Sequence, residues 1–262
     1  MDIQKLRPQV IEIAKQGGDF IRQERIHFDR DRLEFKGTND LVSYVDRETE
    51  ILLVRELSEL IPEAGYITEE ETVSQESAEL QWIIDPLDGT TNFVHGVPIF
   101  SVSIALASNE APILGVVYEV NRDECFYAVK GGGAYCNGQE IKVSTTSSLA
   151  DSLIVSGYPA RDFDQLPNYI AALNMLMPKT QGMRRLGSAA TDLAYVACGR
   201  VSCFFESNIN SYDVAAGALI VQEAGGLVTD FSGGDNWLFG REIIAANGVH
   251  AEVLQVVSSA WQ

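Results

Sequence analysis

Apolar residues recur at helical spacing in two segments near the start of the chain. Residues 3–25 and residues 44–61 place them three or four positions apart, the pattern of a helix with one buried face, and Pro62 ends the second segment. Shorter apolar runs then predict β-strands over 65–68, 81–84, 100–107, 113–120 and 125–129. The first half of the chain is therefore predicted to be α+β.

The second half of the chain alternates between strand-like and helical patterns. Helical spacing at 165–177, 188–198, 214–224 and 250–260 separates strand-like runs at 153–158, 202–206, 227–231 and 243–246. Such alternation is typical of layered α/β structure. Because the sequence has no repeat and no flexible linker, we expect two tightly joined subdomains, an α+β unit over 1–145 and an α/β unit over 146–262.

The chain is strongly acidic, with a net charge of −18 from 37 acidic and 19 basic residues. Such a surface repels the phosphates of nucleic acids, and no block of basic residues offsets it, so we expect no nucleic-acid partner. No apolar run approaches the roughly 20 residues that a membrane span needs. The four cysteines form no C-x-x-C pair, which disfavours a zinc or redox site. We therefore expect a cytoplasmic protein.

Residues 82–93, with the sequence WIIDPLDGTTNF, combine acidic and anion-binding features. A short strand is predicted to present Asp85 and Asp88 in the turn after it, and Gly89 lets the backbone approach a ligand. If Thr90 opens a helix, the free amides there can receive an anion. A D-x-x-D pair alone is common in turns. The whole string, with two carboxylates beside an anion site, indicates Mg²⁺ held between protein and phosphate.

This string resembles the first signature of the inositol monophosphatase family, whose members are Mg²⁺-dependent, Li⁺-sensitive phosphomonoesterases. Residues 213–218 (DVAAGA), followed by EAGG at 223–226, resemble the second signature. Lys36 with residues 40–46 (DLVSYVD) resembles an early segment of the family, and residues 68–71 (TEEE) resemble its G-E-E motif at a strand end. The matches follow the family's order from residue 36 to residue 226, so the resemblance covers most of the chain.

The resemblance implies a five-layer αβαβα sandwich, usually a homodimer, with the metal cage where the two halves meet. It implies catalytic roles for Asp46, Thr90 and Glu69, with Asp46 paired to the Thr90 hydroxyl. The implied ligands of two or three Mg²⁺ ions are Glu69, Asp85, Asp88, Asp213 and the Leu87 carbonyl, with Glu70 acting through water. The implied substrate contacts are Gly89, Thr90, Asp88, Gly187, Ser188, Ala189, Glu206 and Asp213.

The chain departs from the family pattern at three places near these residues. Thr68 stands where Gly is usual, Ser43 where Thr is common, and Tyr212 where Trp usually precedes the last aspartate. None of these changes removes a ligand oxygen, so we expect the chemistry to be kept while the metal affinity can differ. Asp46 also has a purely structural alternative, as the cap of a helix that begins near Arg47.

Three further motifs carry weaker signals. Residues 130–138 (KGGGAYCNG) match neither G-x-G-x-x-G nor G-x-x-x-x-G-K-[ST] and lie between strand-like runs, so a turn is predicted. Asp162-Phe163-Asp164 resembles a helix start with acidic residues in the first turn. The pair Arg184-Arg185 could steer phosphate, join subunits or form a structural ion pair.

The predicted activity is Mg²⁺-dependent hydrolysis of a small phosphomonoester, with myo-inositol 1-phosphate as the expected substrate. Fructose-1,6-bisphosphatase, 3′-phosphoadenosine-5′-phosphate phosphatase and histidinol-phosphate phosphatase activities are alternatives. A non-enzymatic alternative is a partner protein of a transcription complex, a role associated with some bacterial members of the family. A metal buffer is a weaker alternative, because it leaves the phosphate-binding features at Gly89 and Thr90 unexplained.

Overall fold

The structure is a computed structural model that describes residues 2–28, 34–37, 40–75, 78–159 and 163–261. The helices are α1 (Ile3–Ile26), α2 (Tyr44–Leu60), α3 (Thr90–His95), α4 (Leu166–Leu176), α5 (Ala189–Ala197), α6 (Ser211–Glu223) and α7 (His250–Ala260). The strands of the first half are β1 (Glu34–Gly37), β2 (Asp40–Val42), β3 (Gly65–Thr68), β4 (Leu80–Asp88), β5 (Ser101–Ser108), β6 (Ala111–Glu119), β7 (Glu124–Val129), β8 (Ala134–Cys136) and β9 (Gln139–Ile141). Those of the second half are β10 (Leu153–Ser156), β11 (Gly182–Arg184), β12 (Cys203–Ser207), β13 (Leu227–Thr229) and β14 (Glu242–Ala246).

Two mixed sheets organise these strands. The larger sheet has the order β3-β4-β5-β6-β7-β8-β9 and is antiparallel except where β3 runs parallel to β4. The smaller sheet has the order β11-β10-β12-β14-β13, with β10 parallel to both of its neighbours. Strands β1 and β2 form a separate antiparallel pair.

The alternation of side chains along β4 shows how helices cover both faces of the larger sheet. Trp82 and Ile84 pack on the side of α1 and α2, with Leu53, whereas Ile83 packs on the opposite side with Leu219 of α6. Because successive strand residues point to opposite faces, one buried strand can serve two hydrophobic cores.

The smaller sheet repeats this arrangement. Phe204 of β12 packs toward α5 and α6, whereas Phe205 packs toward α7 with Val253. Helices α4 and α7 contact each other on that outer side. The layers are therefore α1/α2, the larger sheet, α5/α6, the smaller sheet and α4/α7, and the predicted αβαβα sandwich is confirmed.

The periodic segments were predicted well, and short elements were not. Strands β1, β2, β8, β9 and β11 were not predicted, because three or four residues rarely show a clear alternation, although the equally short β13 was predicted. The predicted acidic helix start at 162–164 is wrong: α4 begins at Leu166 without an acidic residue in its first turn, and Asp162 lies outside the described residues. The division of the chain at residue 145 stays a prediction.

Two further observations concern the cysteines and the helices. All four cysteines are free, with Cys125 and Cys203 buried and Cys136 and Cys198 half-buried. In the part of the chain that the structure describes, none of the helices combines the length and the apolar character needed to cross a membrane.

Candidate active site

Strand β4 carries Asp85 and Asp88 across a β-bulge. Asp85 pairs with Ser103 and Asp88 with Ser101, so three steps along β4 face two along β5. Residues three apart in a regular strand point to opposite faces, and the extra residue of a bulge lets both aspartates turn to one side. Pro86 fits here, because a bulge leaves a ladder position unpaired. The predicted placement of both aspartates in a turn after the strand is wrong, since β4 continues through Asp88.

Asp213 reaches the same place from the central helix layer. Asp85, Asp88 and Asp213 each contribute a carboxylate oxygen, and these oxygens all lie within 4.8 Å of one another. Asp213 is the third residue of α6, where its Oδ2 accepts a hydrogen bond from the Asn210 backbone N–H at 2.7 Å. The fold therefore brings together three residues, distant in sequence, that were predicted to be metal ligands.

Glu69 adds a fourth carboxyl group from the end of β3. Thr68 lies opposite Ile84 in the parallel pair, so Glu69 follows beside Asp85, and the two carboxyl groups share a hydrogen bond. Burial and then the charge of Asp213 raise the pKa of Glu69 well above its usual value. Burial and then the charge of Glu69 do the same to the pKa of Asp85. Without added positive charge, these acids therefore resist being ionised together.

The donor atoms of this cleft suit a hard cation. The cleft has a volume of about 160 Å³, and its described lining residues include no histidine or cysteine and one basic side chain, Arg185. Mg²⁺ prefers carboxylate and carbonyl oxygens, whereas Zn²⁺ prefers nitrogen and sulfur. A bound cation would neutralise the repulsion among the acids. The acidic residues and the buried Leu87 carbonyl therefore fit a Mg²⁺ site.

Thr90 and Asp46 form the predicted hydrogen bond beside these acids. Thr90 Oγ1 donates to Asp46 Oδ1 at 2.8 Å. Asp46 Oδ2 accepts from the backbone N–H and the hydroxyl of Ser43, at 2.8 and 2.6 Å, in a capping box. The helix predicted over 44–61 is confirmed, and the start near Arg47 assumed in the capping alternative is wrong, because α2 begins at Tyr44 and Asp46 lies in its first turn. Burial raises the pKa of Asp46, although its bonds to Ser43 and Thr90 lower it.

Gly89 turns the chain from β4 into α3 in the left-handed conformation, with φ of +99°. A Cβ here would lie 3.1 Å from the Ile99 carbonyl oxygen and 3.2 Å from that of Gly187. Asn92 Nδ2 donates to the carbonyl oxygens of Ile99 and Leu186, both at 2.8 Å. The start of α3 is thus fixed against the loop before α5. That the Gly89 and Thr90 amides bind phosphate stays a prediction.

Ser188, one of the residues predicted to line the substrate, uses its hydroxyl to bind Asp88. It donates to Asp88 Oδ2 at 2.6 Å, and the Ala190 N–H donates to the same oxygen at 2.7 Å. Burial raises the pKa of Asp88, while these donors lower it. Ser188 therefore holds Asp88 in place. Gly187, Ser188 and Ala189 line the cleft, and their contact with a substrate stays a prediction.

Glu206 lines the same cleft from β12, with its carboxyl group directly against Gly157. A Cβ at position 157 would lie 1.8 Å from Glu206 Cδ and 2.0 Å from its Oε1. The absence of a side chain at Gly157 therefore leaves the space that the carboxyl group occupies. The role of Glu206 in binding a substrate hydroxyl stays a prediction.

Asp192 also lines this cleft and was not predicted from the sequence. Its side chain is buried on α5, and Oδ1 has no hydrogen-bond partner among the residues that the structure describes. Burial, then the charges of Glu206 and Asp88, raise its pKa well above the usual value, whereas Arg185 lowers it. The Arg185 guanidinium lies 4.6 Å from the centre of the Tyr158 ring. A charged residue inside the apolar helical run AATDLAYVA was the available signal.

Residues 130–133 form the predicted turn, between β7 and β8, but the rest of the segment is not one turn, because residues 134–136 form β8. The backbone N–H groups of Gly131 and Gly133 donate to the Glu223 carboxylate of α6, at 2.8 and 2.9 Å. These amides are therefore engaged by a carboxylate of the protein itself, which removes the basis for a phosphate loop here.

Comparison with known proteins agrees with this geometry. The sequence model described as "Inositol monophosphatase family" matches residues 2–262. An inositol-1-monophosphatase of Mesorhizobium japonicum is 39% identical over 241 residues, 92% of this chain and 91% of that protein. The Nus factor SuhB of Pasteurella multocida is 40% identical over 237 residues, 90% of this chain and 89% of that protein. The crystal structure of extragenic suppressor protein suhB from Bartonella henselae has a TM-score of 0.92 at 37% identity, covering 97% of this chain and 98% of that one.

Proposed function

The chain belongs to the inositol monophosphatase family, and from this premise we propose that it is a Mg²⁺-dependent phosphatase that hydrolyses myo-inositol 1-phosphate to inositol and phosphate. The convergence of Asp85, Asp88 and Asp213 within 4.8 Å is the observation that supports this most directly. A structural role alone does not account for such a group, because buried like charges destabilise a fold unless a ligand offsets them.

The proposed ligands of two or three Mg²⁺ ions are Glu69, Asp85, Asp88, Asp213 and the Leu87 carbonyl, with Glu70 acting through water. When bound, Mg²⁺ would supply positive charge for the phosphate dianion and the leaving alkoxide and would lower the pKa of water. The protein holds the acids in position through the β4 bulge, the first turn of α6 and the donors of α5.

Thr90 and Asp46 are proposed to orient the attacking water. The hydroxyl proton of Thr90 is held by Asp46 at 2.8 Å, because a carboxylate accepts more strongly than the Leu87 carbonyl at 3.1 Å. The remaining lone pairs of Oγ1 can then accept a hydrogen bond from water and direct it toward phosphorus. Gly89 and Thr90 would hold the phosphate through their backbone amides.

Glu206 is proposed to select the alcohol part of the substrate, together with Gly187, Ser188 and Ala189. A buried carboxylate that accepts from a hydroxyl disfavours analogues that lack the hydroxyl. The fructose-1,6-bisphosphate, 3′-phosphoadenosine-5′-phosphate and histidinol-phosphate activities remain alternatives that share the same acids. Inhibition by millimolar Li⁺, a homodimeric state and a cytoplasmic location belong to the same proposal.

Phosphate release from these four substrates, measured against Mg²⁺ concentration and with a chelator, tests the proposal. We expect Mg²⁺-dependent turnover, fastest with myo-inositol 1-phosphate, and a loss of several orders of magnitude in Asp213→Asn. Asp151→Asn is the matched control, because Asp151 is exposed and lies outside the cleft. Turnover that persists in chelator, or in Asp213→Asn, would contradict the metal-dependent mechanism.

A role in a transcription complex is a second candidate, favoured by the name of the Pasteurella relative at 40% identity. The net charge of −18 still disfavours direct contact with RNA, so the partner would be a protein. Size-exclusion chromatography with purified RNA polymerase of the source organism tests it. Asp213→Asn should co-elute as well as the wild type if binding is independent of the chemistry. Failure of the wild type to co-elute would count against this role.

A further inference from the structure

Glu50 is a fully buried carboxylate that takes no part in the mechanism above. Its Oε1 accepts from the Thr72 backbone N–H and from the Thr72 hydroxyl, both at 2.8 Å, and from the Thr68 hydroxyl at 2.9 Å. Its Oε2 accepts from the Glu70 backbone N–H at 2.8 Å. Four donors from one short segment therefore surround this carboxylate, and such bonds to a charged group are stronger than neutral ones.

The segment that Glu50 holds is the turn after β3, which carries Glu69 and Glu70. Within it, Glu71 has a φ of +52°, a conformation that residues other than glycine adopt rarely and that needs support from its surroundings. The backbone N–H groups of Glu70 and Thr72, on either side of Glu71, both donate hydrogen bonds to the Glu50 carboxylate. Glu50 therefore supports the turn at its least favourable residue.

Glu50 lies one helical turn after Asp46, on the same face of α2. Asp46 binds Thr90 at the start of α3, while Glu50 binds the turn that carries Glu69. From the same helix, Arg47 Nε lies 3.8 Å from Glu70 Oε2. One face of α2 thus contacts both walls of the acidic cleft.

From these contacts we infer that Glu50 is a positioning residue for the metal site, which sets the direction of Glu69 and Glu70 by fixing the backbone between Thr68 and Thr72. The inference rests on the proposed function, since it assumes that Glu69 binds Mg²⁺. Thr68, which replaces the usual glycine of the family, strengthens the hold of Glu50 on this turn, because its hydroxyl is one of the four donors.

Glu50→Gln is the sharpest variant to test this. An amide has one acceptor oxygen and one NH₂ group, so it cannot accept from the Glu70 and Thr72 amides on both sides at once. Whichever way the Gln side chain turns, one backbone N–H faces another donor. Glu48→Gln is the matched control, with the same change of charge on the same helix at an exposed position.

Mg²⁺ binding is measured by isothermal titration calorimetry, and amide protection by hydrogen exchange in metal-free protein. For Glu50→Gln we expect Mg²⁺ affinity to fall about 10- to 100-fold and protection at Glu70 or Thr72 to be lost. Raising Mg²⁺ should restore kcat, with the KM for the phosphomonoester nearly unchanged. Thr72→Ala removes one donor and keeps both amides, so it should shift Mg²⁺ affinity in the same direction by less, and it tests the inference if Glu50→Gln does not fold.

Two results would overturn the inference. If Glu50→Gln lowers the Tm but binds Mg²⁺ as the wild type does, Glu50 has a purely structural role, and the proposed phosphatase function stands. If the wild type binds no Mg²⁺ in the calorimeter, the proposed metal site fails, and the inference fails with it.

Discussion

The two oxygens of Asp46 serve different partners, with Oδ1 accepting from the Thr90 hydroxyl at 2.8 Å and Oδ2 accepting from Ser43 at the start of α2. The structural and the catalytic interpretations of Asp46 are therefore compatible. The capping box orients the carboxylate, and the oriented carboxylate is available to hold the Thr90 proton.

This relationship predicts that Thr90→Ala lowers kcat far more than it weakens substrate or metal binding. The variant removes the group that orients the attacking water and leaves every carboxylate in place, so we expect kcat to fall about 100- to 10,000-fold. Steady-state kinetics at saturating Mg²⁺, together with Mg²⁺ titration, distinguish the loss of kcat from a loss of substrate or metal binding. Thr145→Ala, at an exposed position outside the cleft, is the control. A normal kcat in Thr90→Ala would leave the metal as the sole activator of water.

The pKa values of Glu69 and Asp85 predict how stability depends on pH without metal. Both pKa values are raised in the folded protein. The stability that these two groups contribute is therefore fully present below their pKa values in the unfolded chain, about 4, and is lost as pH rises through their pKa values in the folded protein. The Tm in chelator should therefore fall as pH rises above about 4, and Mg²⁺ should raise the Tm more at the higher pH.

Asp85→Asn should weaken the dependence of the metal-free Tm on pH, because it removes an acid that its acidic neighbours repel. At the higher pH its metal-free Tm should exceed that of the wild type, with each kcal/mol of relief raising Tm by about 2–4 °C. Asp151→Asn, at an exposed position, should keep the wild-type slope. Equal slopes in Asp85→Asn and the wild type would show that repulsion within the cleft is not the cause.

The contact between Glu206 and Gly157 predicts that Gly157→Ala acts as a specificity mutation. The new Cβ would lie 1.8 Å from Glu206 Cδ, so the carboxyl group must move, and as the end of a flexible side chain it can do so without unfolding the strand. Gly157→Ala and Glu206→Gln should both lower kcat/KM for inositol and sugar phosphates and leave an aryl phosphate nearly unaffected. The double variant should be no worse than either single variant, because both act on one group. Equal losses on both substrate classes would instead place Glu206 in the metal site.

The buried Asp192 predicts a gain of stability on neutralisation. Its pKa is raised well above the usual value, so its contribution to stability is lost as pH rises, and within the described part of the chain Oδ1 meets no hydrogen-bond partner. Asp192→Asn should therefore keep or raise the Tm at neutral pH in metal-free protein, measured by calorimetry. A clear fall in Tm would show that the carboxylate is needed by the fold itself, and a change in KM alone would assign it to the substrate.

The sequence alone determined the periodic elements and the chemistry of the site. Helices α1, α2 and α7 and the longer strands follow from local alternation, because burial of one face imposes a period that any long element repeats. The string around Asp85 and Asp88 indicated a metal and a phosphate, because the residue types themselves carry that chemistry.

Only the tertiary structure decided which groups meet and how they are held. The β4 bulge turns Asp85 and Asp88 to one side, and α6 begins at Ser211, which places Asp213 beside them. Neither Glu50 nor Asp192 belongs to a sequence motif. Glu50 is recognised only by the donors that reach it from the turn after β3, and Asp192 only by its burial. Such relationships depend on the packing of residues distant in sequence, and local periodicity contains no information about that packing.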